Sequence, residues 1–593
     1  MSTRSKPANL RLRLYIVLMV LVLASTGLVV RAVDLQVVRK DFYQNQGDAR
    51  FLRDIPIAVS RGTIFDRNGE PLAVSTPVES IWADPRELLQ HPERLGELAQ
   101  ALGMDETLLT ERLTERSTRE FLYLKRPVDP DAAKEVLALG IPGVASERAF
   151  RRYYPSGEIM AHTLGFTNID DEGQEGLELA FNEWLAGKPG SKRVIRDRLG
   201  HVVENVELLR EAQPGRDLTL SLDRRIQYVA YRELKAAVHE HKATSGSMVI
   251  LDVSNGEVLA MVNQPSFNPN SRANIKPAYR RNRGVTDVVE PGSTMKAFTV
   301  AAALESGRWK PDTVIDTTPG TMLVSGHTVR DVRNFGVIDV TRVITKSSNV
   351  GAAKMALDMT NEHMYDVLHR FGFGEVSGSG FPGEAPGYLP TAKSWGTLEK
   401  VTLSYGYGLN VTPLQLAQAY AALANGGRLR PPGFVKGAMN PDSAVIDPQI
   451  AASVVAMLET VVGPQGGGLK AAVPNYRVAG KTGTSRRAVA GGYESRYISL
   501  FAGMVPASNP RLVGVVVIHD PGGVQGGVYY GGLVAAPVFG QVMGDALRLL
   551  DVPPDNVQHW YSGAPAAGQS IDPSSPPPDY APGETSYEEG VSR

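Results

Sequence analysis

The stretch Glu290-Pro291-Gly292-Ser293-Thr294-Met295-Lys296-Ala297-Phe298-Thr299-Val300 decides how this 593-residue chain is read. Pro-Gly marks a turn, and the apolar run from Ala297 to Leu304 follows it as a helix, which puts Ser293 in the first helical turn. Lys296 is three residues on, so both side chains emerge on one face. The helix start adds unpaired N–H groups and partial positive charge beside the hydroxyl. A serine is a poor nucleophile until a base takes its proton. Lys296 can be that base only if burial or a second cation lowers its pKa. Taken alone, a structural helix that begins Ser-x-x-Lys explains the string equally well.

Two further strings supply what the first lacks. Lys481-Thr482-Gly483-Thr484 follows Tyr476-Arg477-Val478-Ala479-Gly480 and reads as a strand presenting alternate side chains to a site. Lys481 is the second cation. Thr482 and Thr484 bring hydroxyl donors suited to a terminal carboxylate, and Gly483, without a Cβ, lets a substrate backbone approach. Ser347-Ser348-Asn349 lies between Val343-Ile344-Thr345-Lys346 and the helix-like run Val350 to Ala356. There Ser347 can relay a proton toward a leaving amine, and Asn349 can hold Lys296 and a substrate amide. The bland readings are a solvated strand end and a helix cap.

In this order the three strings resemble the signature of the penicillin-reactive serine acyltransferases. Ser348 stands where a class A β-lactamase has Asp, which favours the broader S-x-N form. Upstream, Ser60-Arg61-Gly62-Thr63-Ile64-Phe65-Asp66-Arg67-Asn68-Gly69-Glu70-Pro71-Leu72-Ala73 resembles the first box of the non-catalytic module of class B penicillin-binding proteins. Arg151-Arg152-Tyr153-Tyr154-Pro155 with Gly173-Gln174-Glu175-Gly176-Leu177-Glu178 resembles the second. The chain therefore resembles a class B penicillin-binding protein, and most closely the division-specific branch, from its anchor to about Leu550.

That resemblance implies an α+β, serine β-lactamase-like transpeptidase domain, with an antiparallel sheet flanked by helices and a helical subdomain. An elongated mixed α/β pedestal and one N-terminal transmembrane helix would precede it. It implies Ser293 as nucleophile, with Lys296, Ser347, Asn349 and Lys481 as the other catalytic residues. Thr482, Gly483 and Thr484, with Tyr407, Tyr529 and Tyr530, would bind substrate, and the backbone N–H groups of Ser293 and Thr484 would form the oxyanion hole. The expected ligands are peptidoglycan stem peptides ending in D-Ala-D-Ala and β-lactams, with no metal and no organic cofactor. The expected partners are a division-type membrane glycosyltransferase and other divisome proteins. Tyr405-Gly406-Tyr407-Gly408 and Tyr529-Tyr530-Gly531-Gly532 either line the cleft or fill a core. Arg486, Arg487 and Arg496 either steer an acidic stem peptide or are solvated charge.

The rest of the chain bounds these expectations. Lys+Arg 62 against Asp+Glu 63 argues against a nucleic-acid partner. The absence of cysteine removes disulfides, thiolate catalysis and zinc-cysteine sites. Leu14 to Val30 is an uncharged run of 17 residues behind Arg4, Lys6, Arg11 and Arg13. It reads as an anchor over 14–33 with residues 1–13 in the cytoplasm and the catalytic part across the inner membrane in the periplasm. Arg31, Arg39 and Lys40 blunt that asymmetry. A cleaved signal peptide is the competing reading, with an apolar region longer than usual and no obvious small-residue cleavage site. The pedestal is expected over 41–210, the transpeptidase domain over 217–550, and a disordered Pro-rich tail over 551–593. Asn68-Gly69 signals a type I′ hairpin, across which Arg61 and Asp66 could pair. Helix is expected from Arg224 to Lys242, a hairpin from Gly246 to Val262, and strands over Ile498 to Val505 and Leu512 to Ile518. Three rival functions remain: the elongation-specific paralogue, a carboxypeptidase or β-lactamase, and a non-catalytic penicillin-binding sensor or scaffold.

Overall fold

A computed structural model describes residues 10–39, 52–196, 202–271, 276–489, 492–522 and 528–556. Helix α1 (Leu10–Val33) contains the apolar run. At 1.5 Å per residue it is about 36 Å long, more than the hydrocarbon thickness of a bilayer. Its side chains from Arg11 to Val33 lie exposed, and it is long and apolar enough to cross a membrane. On its far side Asp34 pairs with Arg31 (2.9 Å) and Arg39 (3.0 Å), which offsets part of the blunting charge. Lys40, residues 1–9 and the Pro-rich stretch from 557 lie outside the described residues.

The pedestal is built on two sheets. Strands β1 (Leu52–Ile57), β2 (Ile64–Phe65), β3 (Pro71–Ala83), β4 (Leu122–Val128), β5 (Val144–Tyr153), β6 (Gly190–Arg196), β7 (Val202–Arg210) and β8 (Leu218–Thr219) follow in chain order. One sheet runs β1-β6-β7; in the other β3 is central, paired to β2, β4 and β5, and β2 joins β8 in parallel. The β2–β3 turn is not type I′. Only Gly69 has positive φ (+88°), Gly69 N–H donates to Asp66 O, and Asp66 N–H to Glu70 O. This is a type I turn closed by a glycine bulge. The Asp66 carboxylate explains the choice: it accepts from Asn68 N (2.7 Å) and Glu70 N (2.9 Å), which holds residues 67 and 68 right-handed.

Nor does Asp66 pair with Arg61. Arg61 Nε bonds Glu178 Oε2 (2.7 Å) and Arg152 Nε bonds Glu178 Oε1 (2.6 Å), with all three side chains buried. The two boxes thus meet on one carboxylate, from positions more than a hundred residues apart. Truncating one member of such a network strands the others without compensation, at a cost of about 3–5 kcal/mol. Glu178→Ala is therefore expected to lower the pedestal's thermal unfolding midpoint by many degrees. An unchanged midpoint in calorimetry would refute the structural role.

The catalytic half begins with α2 (Arg224–Glu240), capped by Asp223, whose carboxylate accepts from Arg225 N (2.9 Å). Strands β9 (Ser245–Asp252) and β10 (Val258–Gln264) form the predicted hairpin. Helices α3 (Lys296–Glu305), α4 (Val340–Lys346), α5 (Asn349–Asp358), α6 (Pro413–Ala424) and α7 (Pro448–Val462) follow. A reciprocal Thr412–Gln415 capping box starts α6, and Asp447 with Pro448 starts α7. Strands β11 (Ala479–Val489), β12 (Gly492–Val505) and β13 (Leu512–His519), then α8 (Gly531–Leu549), complete the half.

The five long strands make one antiparallel sheet in the order β10-β9-β13-β12-β11, so distant parts of the chain meet as expected and β11 is an edge. Both faces are covered, which is why its inner strands read as unbroken apolar runs. Val249, Leu251, Val513, Val515 and Val517 face α3, α6 and α7, whereas Met248, Ile250, Val516 and Ile518 face α2 and α8. Residues 551–556, expected in the tail, are tied to the preceding domain by hydrogen bonds. Tyr476 Oη donates to Val552 O (2.6 Å), and Asp555 accepts from Arg477 N and Ser508 Oγ (2.7 Å each).

Candidate active site

Ser293 sits in a short 3₁₀ turn, Gly292–Met295, that precedes α3; it is not in the α-helix itself. In a 3₁₀ turn residues i and i+3 eclipse. That brings Lys296 Nζ to 3.0 Å from Ser293 Oγ. Gly292 adopts φ +54°, and a Cβ there would rest 3.4 Å from Thr484 O. Gly406 must also be glycine, since a Cβ would lie 2.0 Å from Gly292 O. Tyr420 Oη donates to Thr294 O (2.9 Å), so the turn that carries Ser293 is held from several sides.

Gly483 also meets a steric requirement within the protein. A Cβ there would lie 2.8 Å from Pro291 O and 3.1 Å from Thr294 Cγ2. The vacant space is filled by the Gly292–Met295 turn, which lets β11 press against it.

Ser347-Ser348-Asn349 is the junction of two helices. Ser347 ends α4 in the left-handed region (φ +58°), a conformation costing a non-glycine residue about 1 kcal/mol. Ser348 begins α5, its Oγ accepting from Gly351 N (2.9 Å). The strained corner turns Ser347 Oγ toward both lysines, 3.1 Å from Lys296 Nζ and 3.0 Å from Lys481 Nζ. Asn349 Oδ1 accepts from Lys296 (2.7 Å), and its Nδ2 is oriented by Arg330 O (2.8 Å). Ser293, Lys296, Ser347, Asn349 and Lys481 are therefore joined in one hydrogen-bonded chain.

Burial sets the charges. Lys296 is 0 % exposed and Lys481 1 %. Burial pushes the Lys296 ammonium well below its ordinary range, the neighbouring Lys481 pushes it further, and Asp331 opposes them. Burial lowers Lys481 to about 7. The shift of Lys296 favours its neutral form, in which the amine can accept the serine proton.

Thr484 Oγ1 accepts from Gly531 N (3.0 Å), which leaves its own hydroxyl proton free. Thr482 Oγ1 has no hydrogen bond among the described residues. Tyr407 packs edge-on between Tyr405 and Tyr493, next to Gly406, which abuts the Ser293 turn. Tyr529 stacks on Tyr497 at 3.8 Å and leans on Tyr530 at 4.7 Å, forming an aromatic shelf at the start of α8. Arg487 and Arg496 share Asp520, while Arg486 is exposed.

Sequence reasoning missed Tyr497 and, more consequentially, Asp331. Asp331 Oδ1 accepts from Asn349 N (2.5 Å) and Val350 N (3.0 Å), and Oδ2 accepts from Ser348 Oγ (2.6 Å). It caps α5 and pins the S-x-N corner from a loop, where no local pattern marks it. Asp331→Ala is expected to slow acylation about 10²-fold, because a displacement of about 1 Å costs that much. Asp331→Glu should recover part of the rate. Stopped-flow acylation by a chromogenic β-lactam checks both, and an unaffected Ala variant would remove Asp331 from the site.

Comparison with known proteins agrees with this geometry. Residues 246–544 match the family model for the penicillin binding protein transpeptidase domain, and residues 56–220 that for the penicillin-binding protein dimerisation domain. A probable peptidoglycan D,D-transpeptidase, PbpC, of Pseudomonas aeruginosa is 45% identical over 92% of this chain and 96% of its own. The peptidoglycan D,D-transpeptidase FtsI of Escherichia coli K12 is 44% identical over 90% and 91%. Among solved structures, a peptidoglycan synthetase from Bifidobacterium adolescentis superposes with TM-score 0.67 at 26% identity, covering 85% of this chain and 97% of that one. The transpeptidase domain of Burkholderia pseudomallei penicillin-binding protein 3 superposes with TM-score 0.52 at 43% identity, covering 57% and 97%. With its catalytic half matched to the family model and its relatives aligned along about nine-tenths of its length, this chain belongs to the penicillin-binding protein transpeptidases.

Proposed function

We propose that the chain is a peptidoglycan D,D-transpeptidase that cross-links stem peptides during septal wall synthesis and is inhibited by β-lactams. One observation carries the chemistry: a buried Lys296 amine lies 3.0 Å from Ser293 Oγ and 3.1 Å from Ser347 Oγ. Neutral Lys296 takes the Ser293 proton as Oγ bonds to the carbonyl carbon of the D-Ala-D-Ala bond. The oxyanion is held by the N–H groups of Ser293 and Thr484. The C–N bond then breaks, and the proton passes from Lys296 through Ser347 to the departing D-Ala amine. The donor peptide lies along the free edge of β11 as an added strand. Its terminal carboxylate rests against Thr482, Thr484 and the Lys481 charge, and the Tyr407 and Tyr529–Tyr530 aromatics border the peptide. A neighbouring stem's amine then takes the acyl group.

In this reading α1 anchors the protein in the inner membrane with both large domains in the periplasm. The anchor and pedestal meet a division-type membrane glycosyltransferase and other divisome proteins. The test is incubation of the full chain in detergent with a D-Ala-D-Ala stem peptide and an amine-bearing acceptor. Released D-Ala with a cross-linked product is expected; hydrolysed peptide alone would make the protein a carboxypeptidase. A fluorescent fusion at the septum supports the division role, and one confined to the lateral wall would transfer the protein to elongation.

A further inference from the structure

One rim of the site carries charge that this chemistry does not use. Arg330, Arg333 and Arg342 are exposed, and Lys346, immediately before Ser347, is half-buried. Among the described residues none of the four forms an ion pair with a carboxylate. Arg333 lies over the Phe335 ring, and Lys346 Nζ donates to Gln465 O (2.8 Å). The neighbouring carboxylates in the chain serve elsewhere: Asp331 holds the S-x-N corner, and Asp339 caps α4 by accepting from Arg342 N (2.6 Å). The Lys346 ammonium is pushed down by burial, then by the nearby charges of Arg333 and Arg342. The opposite rim differs. There Arg487 and Arg496 share Asp520, and Arg281 and Arg283 share Asp287.

The position of the unbalanced cluster is specific. Gln465, which Lys346 holds, leads into Gly466–Gly468, and a Cβ on Gly467 would lie 3.8 Å from Thr482 Oγ1. Lys481 Nζ reaches Ser347 Oγ beside it. The cluster therefore borders the Lys481–Thr482 end of the cleft. In the transpeptidase reading this is the end that the departing D-Ala vacates and from which the second substrate must arrive.

We propose that Arg333, Arg342 and Lys346 form the docking rim for the acyl acceptor, and that the acceptor is an acidic stem peptide whose carboxylates these cations attract. The proposal rests on the transpeptidase reading. Once docked, the acceptor's neutral amine nitrogen bonds to the acyl carbon. The ester bond to Ser293 Oγ breaks, and the nitrogen's proton returns to that oxygen. Long-range attraction of this kind raises association 10- to 10³-fold and weakens with salt.

The experiment loads the full-length protein in detergent with a thioester donor. It then measures, from one acyl-enzyme population, the ratio of aminolysis to hydrolysis, which does not depend on how fast that acyl-enzyme formed. Two acceptors are compared: a stem-derived tripeptide with one free amine and free carboxylates, and the same peptide with its carboxylates converted to carboxamides. In Arg333→Glu/Arg342→Glu the ratio is expected to fall about tenfold for the acidic acceptor and to stay within about twofold for the carboxamide. The tenfold loss should shrink between about 0.05 and 0.5 M salt. Arg333→Gln/Arg342→Gln should give a smaller fall of the same selectivity, and it keeps the test readable if charge reversal impairs folding. Equal losses for the two acceptors, or none, would overturn the docking rim. A wild-type protein that forms no acyl-enzyme would overturn the transpeptidase reading itself, and the rim with it.

Discussion

Ser293→Ala is expected to give a folded protein that penicillin does not acylate, whereas the wild type gains one drug mass and keeps it. The substitution removes a small side chain from a turn fixed by its neighbours: Gly292 against Thr484, Gly406 against Gly292 O, and Tyr420 on Thr294 O. Lys296 loses one hydrogen bond but keeps Ser347 and Asn349, so the buried amine is not stranded. What disappears is the oxygen that becomes the ester in the proposed reaction. Loss of a serine nucleophile of this kind costs on the order of 10⁶-fold in rate. Intact-mass spectrometry with and without drug checks it. An adduct on the Ala variant would place the nucleophile elsewhere. On the wild type, rapid loss of the adduct with hydrolysed drug accumulating would make the protein a β-lactamase.

The second large effect concerns the base. Lys296→Arg preserves charge and approximate length but installs a group that does not deprotonate in proteins. General-base catalysis contributes about 10²- to 10⁴-fold, and acylation by a chromogenic β-lactam should fall by that amount. The pH dependence carries a sign. The Lys296 value is lowered, so the neutral, competent form is already populated well below the ordinary lysine range. The acylation rate constant should therefore rise with pH through that depressed value and not near 10.5. The two buried lysines interact, so the limb observed belongs to the pair. An ascending limb at the ordinary lysine value, or an Arg variant as fast as wild type, would remove Lys296 as the base.

Much of this candidate site was legible in the chain because each of its three strings is local. Ser-x-x-Lys needs only one turn to align two side chains, and Lys-Thr-Gly-Thr needs only strand alternation. Where long-range packing intervened, the reading slipped. Asn68-Gly69 is followed by the expected hairpin, but the Asp66 carboxylate selected another turn. The hairpin pattern pairs Arg61 with Asp66, five positions away, yet its partner Glu178 is 117 residues distant. The packing of Pro291 O against Gly483 is likewise a long-range contact that no local pattern marks. Asp331 gave no signal, because a carboxylate in an irregular loop acquires a role only when a helix start is folded onto it.

The sequence by itself determined which groups are present and in what local geometry: a serine three residues ahead of a lysine, a second serine at a helix junction, a lysine on a strand, and one apolar segment long enough for a membrane. Only the tertiary structure decided their chemistry. It brought three segments separated by 51 and 134 residues onto one another, measured from Lys296 and Lys481 to the Ser347 corner they share. It also sealed both lysines from water. The physical reason is that hydrogen-bond direction and strand alternation are short-range properties of the backbone, whereas the pKa of an amine depends on every atom that displaces solvent around it.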